Sequence, residues 1–266
     1  MNPSETLTLK ILGADGQVRL AGAAGQNVSL VYAAPYAPGD RIVLEATAPG
    51  QFCVVQFEDT MPAALIYMQR QEIGFAIPFA EQAIVYSPKS FTGACHVVRA
   101  RLATEQEIDA RRNLAFNPYD LHGDTGFYPH ASANVETRGE AVFAARNAID
   151  GVFENTCHGE YPFQSWGINR DPNAALRLDF GRPVVLDELR LTLRGDYPHD
   201  NYWVRATVEF SDGSREELAL TNDLAPQAFA MVPREVEWLV LKELIQAEGP
   251  SPFPALTQIE AWGIEG

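Results

Sequence analysis

Short stretches in which apolar and polar residues alternate run through the first hundred positions of the chain. Leu7 to Leu12 alternates in this way, and Asp15-Gly16 then supplies the residues of a tight hairpin turn. Pro38-Gly39 and Pro49-Gly50 separate further apolar runs. The later runs are Ala64–Met68, Phe75–Phe79, Ala83–Tyr86 and Cys95–Leu102. Strands this short with frequent turns predict a β-sandwich, which we place at residues 1–103.

The pattern changes at Thr104, where a helix is predicted. Thr104 can cap a helix, and Glu107 three residues later completes a capping box. The acidic first turn and the later arginines suit the helix dipole. We therefore expect a short helix from about Glu105 to Asn113, within a linker at residues 104–120. The stretch from Asn117 to Tyr128 has little apolar pattern and is expected to be a loop.

The second half returns to strand-like alternation. Leu176, Leu178 and Phe180 fall on one face of a predicted strand, and the leucines of Leu189–Leu193 fall on one face of the next. Val204–Phe210 repeats the pattern before a turn at residues 211–214. These strands predict a second β-sandwich at residues 121–266. The expected fold is all-β, with two sandwich domains joined by a short helix.

Several motifs of the second half occur in the order found in a known family. They are Asn113-Leu114-Ala115, Ala131–Asn134, Asn147–Gly151, Ser165-Trp166, Leu178–Gly181, Phe210–Gly213 and Ile259–Gly263. In this order they resemble the discoidin, or coagulation-factor type C, carbohydrate-binding modules over roughly residues 112–266. The resemblance implies an eight-stranded, galactose-binding-like jelly roll that binds a saccharide without catalysis.

The resemblance also implies a structural calcium ion that ties the loop at Asp150 to the last strand. Calcium prefers six to eight oxygen ligands. Asp150, Asn155 and Glu260 offer side-chain oxygens, and Ala148 and Ala261 offer backbone oxygens. The same loop could hold sodium or no ion, and an ordinary Asp-Gly turn has the same residues.

Two stretches, 158–166 and 194–203, carry the mixture of aromatic and polar residues that sugar recognition needs. Arg194 ends a predicted strand, so a guanidinium held at the rim could donate to two vicinal hydroxyls. Trp166 and Trp203 adjoin strands and are expected in the core. The candidate ligand-binding residues are Arg194, His158, Glu160, Tyr161, Asp196, His199, Asn201 and Tyr202.

Composition narrows the possible partners. The chain has 266 residues, 46% of them hydrophobic, and a formal net charge of −15. This charge disfavours nucleic acid and anionic membrane surfaces as partners. Three cysteines argue against a disulfide framework, and Cys53 and Cys95 are expected to be buried thiols. Without a visible signal peptide, the expected location is the cytoplasm.

Catalytic motifs are missing from the sequence, so a non-enzyme is predicted. It has no Gly-x-Ser-x-Gly elbow, no zinc-type histidine spacing and no glycine-rich phosphate loop. Two alternatives remain open. One is a protein-interaction module on the same fold, including self-association. The other is a glycan-acting enzyme that uses Asp196 with Asp200 or with Glu160, which would require a carboxylate pair about 5–10 Å apart.

Overall fold

A computed structural model describes residues 5–123, 125–196, 201–249 and 251–266 of the protein. The first half is built from eight strands, one 3-10 helix over Ala80–Val85 and one short α-helix. The strands and the α-helix are β1 (Leu7–Leu12), β2 (Val18–Ala21), β3 (Asn27–Tyr32), β4 (Arg41–Ala46), β5 (Gln51–Gln56), β6 (Ala64–Met68), β7 (Glu72–Ala76), β8 (His96–Leu102) and α1 (Glu105–Asp109). No helix in the described part of the chain is long and apolar enough to cross a membrane.

The second half contains nine further strands and three short 3-10 helices. The helices span Thr137–Gly139, Ala141–Phe143 and Ala145–Ile149. The strands are β9 (Arg112–Asn113), β10 (Phe127–Tyr128), β11 (His130–Ala133), β12 (Trp166–Gly167), β13 (Leu176–Leu193), β14 (Trp203–Phe210), β15 (Arg215–Ala219), β16 (Gln227–Gln246) and β17 (Ala255–Glu265).

The first sandwich packs a four-stranded sheet, β2-β1-β4-β7, against a five-stranded sheet, β10-β6-β5-β8-β3. The alternation read in the sequence decides which side chains face inward, since successive residues of a strand point to opposite faces. Leu7, Leu9 and Ile11 of β1 are fully buried, and the residues between them are partly exposed. The turn predicted at Asp15-Gly16 is confirmed between β1 and β2.

Two predictions in the first half are wrong. Ala83–Tyr86 is not a strand, because its first three residues end a 3-10 helix over Ala80–Val85. Val85 and Tyr86 are buried there, although they pair with no strand of the described residues. The apolar residues of this run are therefore explained by burial in the core and not by strand pairing. Cys53 is buried as expected, but Cys95 is exposed because it lies just before β8.

The capping box at the start of α1 is confirmed. The Thr104 side chain accepts a hydrogen bond from the Glu107 amide, and the Glu107 carboxylate accepts one from the Thr104 amide. The helix ends at Asp109, four residues before the predicted end. Ala110 already has extended backbone angles, with φ −68° and ψ 135°, and leads the chain into β9.

The second sandwich is one connected sheet of eight strands that surrounds its own core. Its order is β12-β17-β13-β16-β14-β15, with β11 paired to β13 and β9 paired to β17. The long strands β13 and β16 change register between Asp179 and Val184, which lets them bend. Trp166 and Trp203 are fully buried in this core, as predicted. The all-β sandwich fold predicted from the sequence is confirmed.

The two sandwiches share part of their structure. Strand β10, within the segment expected to be a loop, pairs with the edge strand β6 of the first sandwich. Tyr119 and Phe127 are fully buried in the core of the first sandwich, together with residues 141–143. The chain therefore returns to the first sandwich after it has left it, and no single position separates two independent domains.

Candidate functional site

A hollow of about 120 Å³ lies at one end of the second sandwich. It forms where β13 ends and β17 begins, since Leu193 is paired with Leu256 and Gly167 of β12 with Ala255. Four segments of the chain meet there, namely residues 137–143, 158, 167–170 and 253–255. We call this site the loop-end hollow, and its walls include Arg138, Phe143, His158, Asn169, Arg170 and Phe253.

Two guanidinium groups border the loop-end hollow, and each lies over an aromatic ring. The Arg170 guanidinium lies 4.4 Å from the centre of the Phe253 ring, and that of Arg138 lies 5.5 Å from the centre of the Phe143 ring. Arg138 is also paired with Glu140 through two hydrogen bonds. Arg170 itself is exposed at the wall of the hollow.

The backbone around the hollow is strained. Arg138, Asn169 and Arg170 have φ angles of 54°, 50° and 60°. This left-handed region is unfavourable for residues other than glycine, although asparagine tolerates it better than most. The Thr137 hydroxyl accepts a hydrogen bond from the Asn169 amide at 2.9 Å and so fixes one strained loop against the other.

Gly167 allows these two loops to approach each other. A β-carbon at this position would lie 2.7 Å from the Thr137 hydroxyl oxygen and 3.1 Å from Cδ1 of Phe143. Any larger residue would therefore push the 137–143 segment away from β12. The floor of the hollow depends on this close contact.

His158 lies at the wall of the hollow, on a loop that is supported by buried side chains. Burial lowers the pKa of His158, and the positive charge of Arg194 acts in the same direction, against the opposing effect of Asp196. The imidazole is therefore neutral at neutral pH, and a neutral ring can both donate and accept hydrogen bonds. It lies 3.9 Å from the Asp196 carboxylate.

Arg194 and Asp196 support this loop and do not reach the rim. The Arg194 side chain is 1% exposed, and its Nε donates to Asp196 Oδ1 at 2.6 Å. Its other nitrogens donate to the Ser165 hydroxyl and to the Cys157 carbonyl. The strand end at Arg194 is where the sequence placed it, but the guanidinium points inward.

Asn201 supports a second loop of the same end. It is buried, and its amide donates to the carbonyls of Ala247 and Ser251. Ser251 lies two residues before Phe253, so Asn201 fixes the loop that carries this ring. Tyr202 packs against the core of the second sandwich.

The remaining predicted ligand residues lie elsewhere. Glu160 is exposed, and the Tyr161 amide donates to the Ile84 carbonyl of the first sandwich. Tyr161 lines a smaller cavity together with Tyr86 and Arg146. His199 lies outside the described residues. Of the predicted set, His158 alone borders the loop-end hollow among the residues that the structure describes.

Arg138, Asn169, Arg170 and Phe253 were not predicted. Asn169 and Arg170 lie in a segment between His158 and Asn173 that is rich in aromatic and charged residues, and this was a usable signal. Arg138 and Phe253 had no comparable signal, because they reach the hollow from segments distant in sequence.

A larger cleft of about 530 Å³ lies between the two sandwiches, on the other side of the 137–140 loop. Phe79 and Tyr86 contribute aromatic surface to it, and Glu136 and Glu140 contribute carboxylates. The Glu136 carboxylate also accepts a hydrogen bond from the Ala145 amide. The loop that carries Arg138 is thus bordered by a cavity on each side.

The residues predicted to bind calcium contact several different groups. The Asn155 amide donates to the carbonyls of Leu193 and Leu224, away from Asp150. Glu260 lines a hollow with Arg112, Phe153 and Gly151, the residue after Asp150. Ala148 is fully buried, and the Ala261 carbonyl accepts a hydrogen bond from the Leu114 amide. In the part of the chain that is described, no group of three or more histidine, cysteine, aspartate or glutamate residues could hold a metal ion.

Comparison with known proteins gives matches among solved structures. No protein-family model matches the sequence. No curated protein matches it either. The fold is similar to chitosan-binding module 1 from a chitosanase/glucanase of Paenibacillus sp. IK-5, with 17% identity, 57% of this chain and 99% of that chain covered, and a TM-score of 0.40.

Two other similar structures are a lectin domain and a fucose-binding module. The lectin domain of lectinolysin, complexed with Lewis b antigen, is 17% identical and covers 56% of this chain and 95% of its own, with a TM-score of 0.42. A fucose-binding module of Streptococcus pneumoniae is 11% identical and covers 58% and 99%, with a TM-score of 0.42.

Proposed function

We propose that this protein is a non-catalytic carbohydrate-binding protein and that the loop-end hollow holds the sugar. The observation that carries the proposal is the cluster of strained residues around one small cavity. Three residues other than glycine adopt left-handed backbone angles at its walls. Such conformations cost about 1–3 kcal/mol each and collect at binding sites, where the surrounding structure holds them in place.

The chemistry of the walls suits a sugar. Asn169 and Arg170 are exposed and carry amide and guanidinium donors. The neutral His158 ring adds a group that can donate or accept. Phe253 is partly exposed and offers apolar surface to the C–H face of a pyranose. These groups match a ligand with several hydroxyls on an otherwise compact ring.

The size and charge of the site limit the ligand further. A volume of about 120 Å³ is small against the roughly 300–1,000 Å³ of sites for drug-sized molecules. It therefore suits one terminal sugar residue. The charge of Arg170 favours vicinal hydroxyls or the carboxylate of a uronic acid, although the chain as a whole is strongly acidic.

The proposal is tested by calorimetric titration of the protein with neutral monosaccharides, amino sugars and uronic acids, followed by a glycan array. We expect at least one saccharide to bind at one site per chain. Asn169→Gly and Arg170→Gly should each weaken binding by about tenfold or more, because about 1.4 kcal/mol of lost contact is a factor of ten. Glycine keeps the left-handed backbone and removes only the side chain.

The matched control is Arg99→Ala on the first sandwich, where an exposed arginine donates to Gln56. This variant removes the same charge and should bind the sugar as the unaltered protein does. Saccharide binding that survives both glycine substitutions would place the site elsewhere. If no saccharide saturates the protein, carbohydrate binding itself is excluded.

A further inference from the structure

The side chain of Gln258 fills the centre of the loop for which the family resemblance implies calcium. Its Nε2 donates to the Asn147 carbonyl at 2.7 Å, to Asp150 Oδ1 at 2.8 Å and to the Val152 carbonyl at 3.1 Å. Its Oε1 accepts a hydrogen bond from the Gly151 amide at 2.9 Å. One amide of strand β17 is therefore bonded to four groups of the 147–152 loop.

A second amide completes the partners of Asp150. Gln164 Nε2 donates to Asp150 Oδ2 at 2.8 Å, and the Val152 amide donates to Oδ1 at 2.9 Å. Asp150 is 5% exposed and Gln258 is 2% exposed. A buried carboxylate needs hydrogen-bond donors or a cation, and here amide N–H groups supply the donors.

Gly151 allows the 147–152 loop to pack closely around the Gln258 side-chain amide. Its φ angle is 80°, and a β-carbon there would lie 2.4 Å from Cε2 of Phe116. A residue with a side chain would be both strained and obstructed at this position. The Gly151 amide is thereby fixed at the distance at which the Gln258 carbonyl oxygen accepts its hydrogen bond.

These contacts do not fit a calcium site. The oxygens of Asn147, Asp150 and Val152 converge on a nitrogen that carries hydrogens, at 2.7–3.1 Å. Calcium would need six to eight oxygens at about 2.3–2.6 Å around the same point. Asn155 donates through its Nδ2 to the Leu193 carbonyl, and Glu260 lines a hollow with Arg112 and Gly151.

We infer that the amide of Gln258 takes the place of a cation in this loop. The 147–152 loop is therefore held against strand β17 without calcium. The inference concerns the loop alone and holds whatever the protein binds. The stability of the protein and any ligand binding are then insensitive to chelators.

The test begins with the unaltered protein. Its melting temperature is measured after dialysis against EDTA and again with millimolar Ca²⁺, and bound calcium is measured by mass spectrometry on protein purified without chelator. We expect the same melting temperature in both buffers and no stoichiometric calcium. One calcium per chain, or a melting temperature that Ca²⁺ raises, would overturn the inference.

The second test replaces Gln258 by Glu. A carboxylate there would face the Asp150 carboxylate and two carbonyl oxygens with no hydrogens between them, so a cation would be needed. Gln258→Glu should melt well below the unaltered protein in EDTA and regain most of the loss with Ca²⁺. Gln258→Leu should melt low in both buffers, because it supplies neither an amide nor a carboxylate.

Gln106→Glu is the matched control, because Gln106 is exposed on α1. It should melt like the unaltered protein in both buffers. If Gln258→Glu also melts like the unaltered protein in EDTA, the amide is not needed and the inference fails. These melts contain no sugar, so their outcome is separate from that of the binding experiments.

Discussion

His96 is a buried histidine whose ring is held mainly by packing against a neighbouring aromatic ring. It stacks on Tyr36 with ring centres 4.1 Å apart, and its side chain is 3% exposed. Its Nε2 and the Tyr36 hydroxyl have no hydrogen-bond partner among the described residues. Burial lowers the pKa of His96, although the carbonyl of Gly93 and the charge of Asp59 favour the protonated ring.

This pKa shift predicts how stability depends on pH. In the unfolded chain a histidine binds a proton below about pH 6.5, but His96 in the folded protein resists doing so. The contribution of His96 to stability should therefore decrease as the pH drops from 7.5 to 5.5, and the His96→Phe protein should lack that decrease. Urea denaturation at both pH values measures it. An equal dependence on pH in the unaltered protein and in His96→Phe would contradict the prediction.

Loops at the end of the second sandwich depend on a buried ion pair. Arg194 and Asp196 are 1% and 4% exposed, and the arginine also bonds the loop before His158. Arg111 and Asp187 make the same type of pair at the surface, with exposures of 42% and 35%. Both ion pairs join an arginine to an aspartate, but only the Arg194 pair is buried.

Arg194→Met should cost about 3–5 kcal/mol of unfolding free energy, because it leaves a buried carboxylate without its partner. Arg111→Met should cost about 1 kcal/mol or less, as exposed ion pairs generally do. Denaturant titration of both variants compares them directly. Similar losses in the two would show that the Arg194 pair is not effectively buried.

The sequence predicted strands better than it predicted the site. Alternation gives the buried face of a strand directly, so β1 and β14 were predicted with nearly correct ends. It does not show where a residue beyond a strand end points. Arg194 turns inward because Asp196 folds back beneath it, two residues later. Arg138 and Phe253 meet only through tertiary packing, which no local pattern encodes.

The two sandwiches are joined by more than a linker. Phe127 is fully buried in the first core and Phe180 in the second, and strand β10 links the two halves through its pairing with β6. Because residues that follow the first sandwich in sequence pack into its core, the unfolding of one half is unfavourable for the other. The protein is therefore expected to unfold in a single transition.

Phe127→Ala and Phe180→Ala test this coupling. Each should cost about 3–5 kcal/mol, as the loss of a buried phenylalanine ring usually does. In calorimetry both variants should shift the same single transition to lower temperature. Val232→Ala, at a position 77% exposed, should leave it in place. Two transitions, each moved by a different variant, would show that the halves unfold separately.

The return of the chain to the first sandwich also affects how the protein can fold during its synthesis. A ribosome releases the strands β1 to β8 first, and a domain whose strands were all present could fold at that moment. Here the edge of β6 stays unpaired until Phe127 and Tyr128 have emerged. The wall formed by residues 141–143 comes later still. The first sandwich of the nascent chain is therefore expected to be complete only after residues 127–143 have been synthesised.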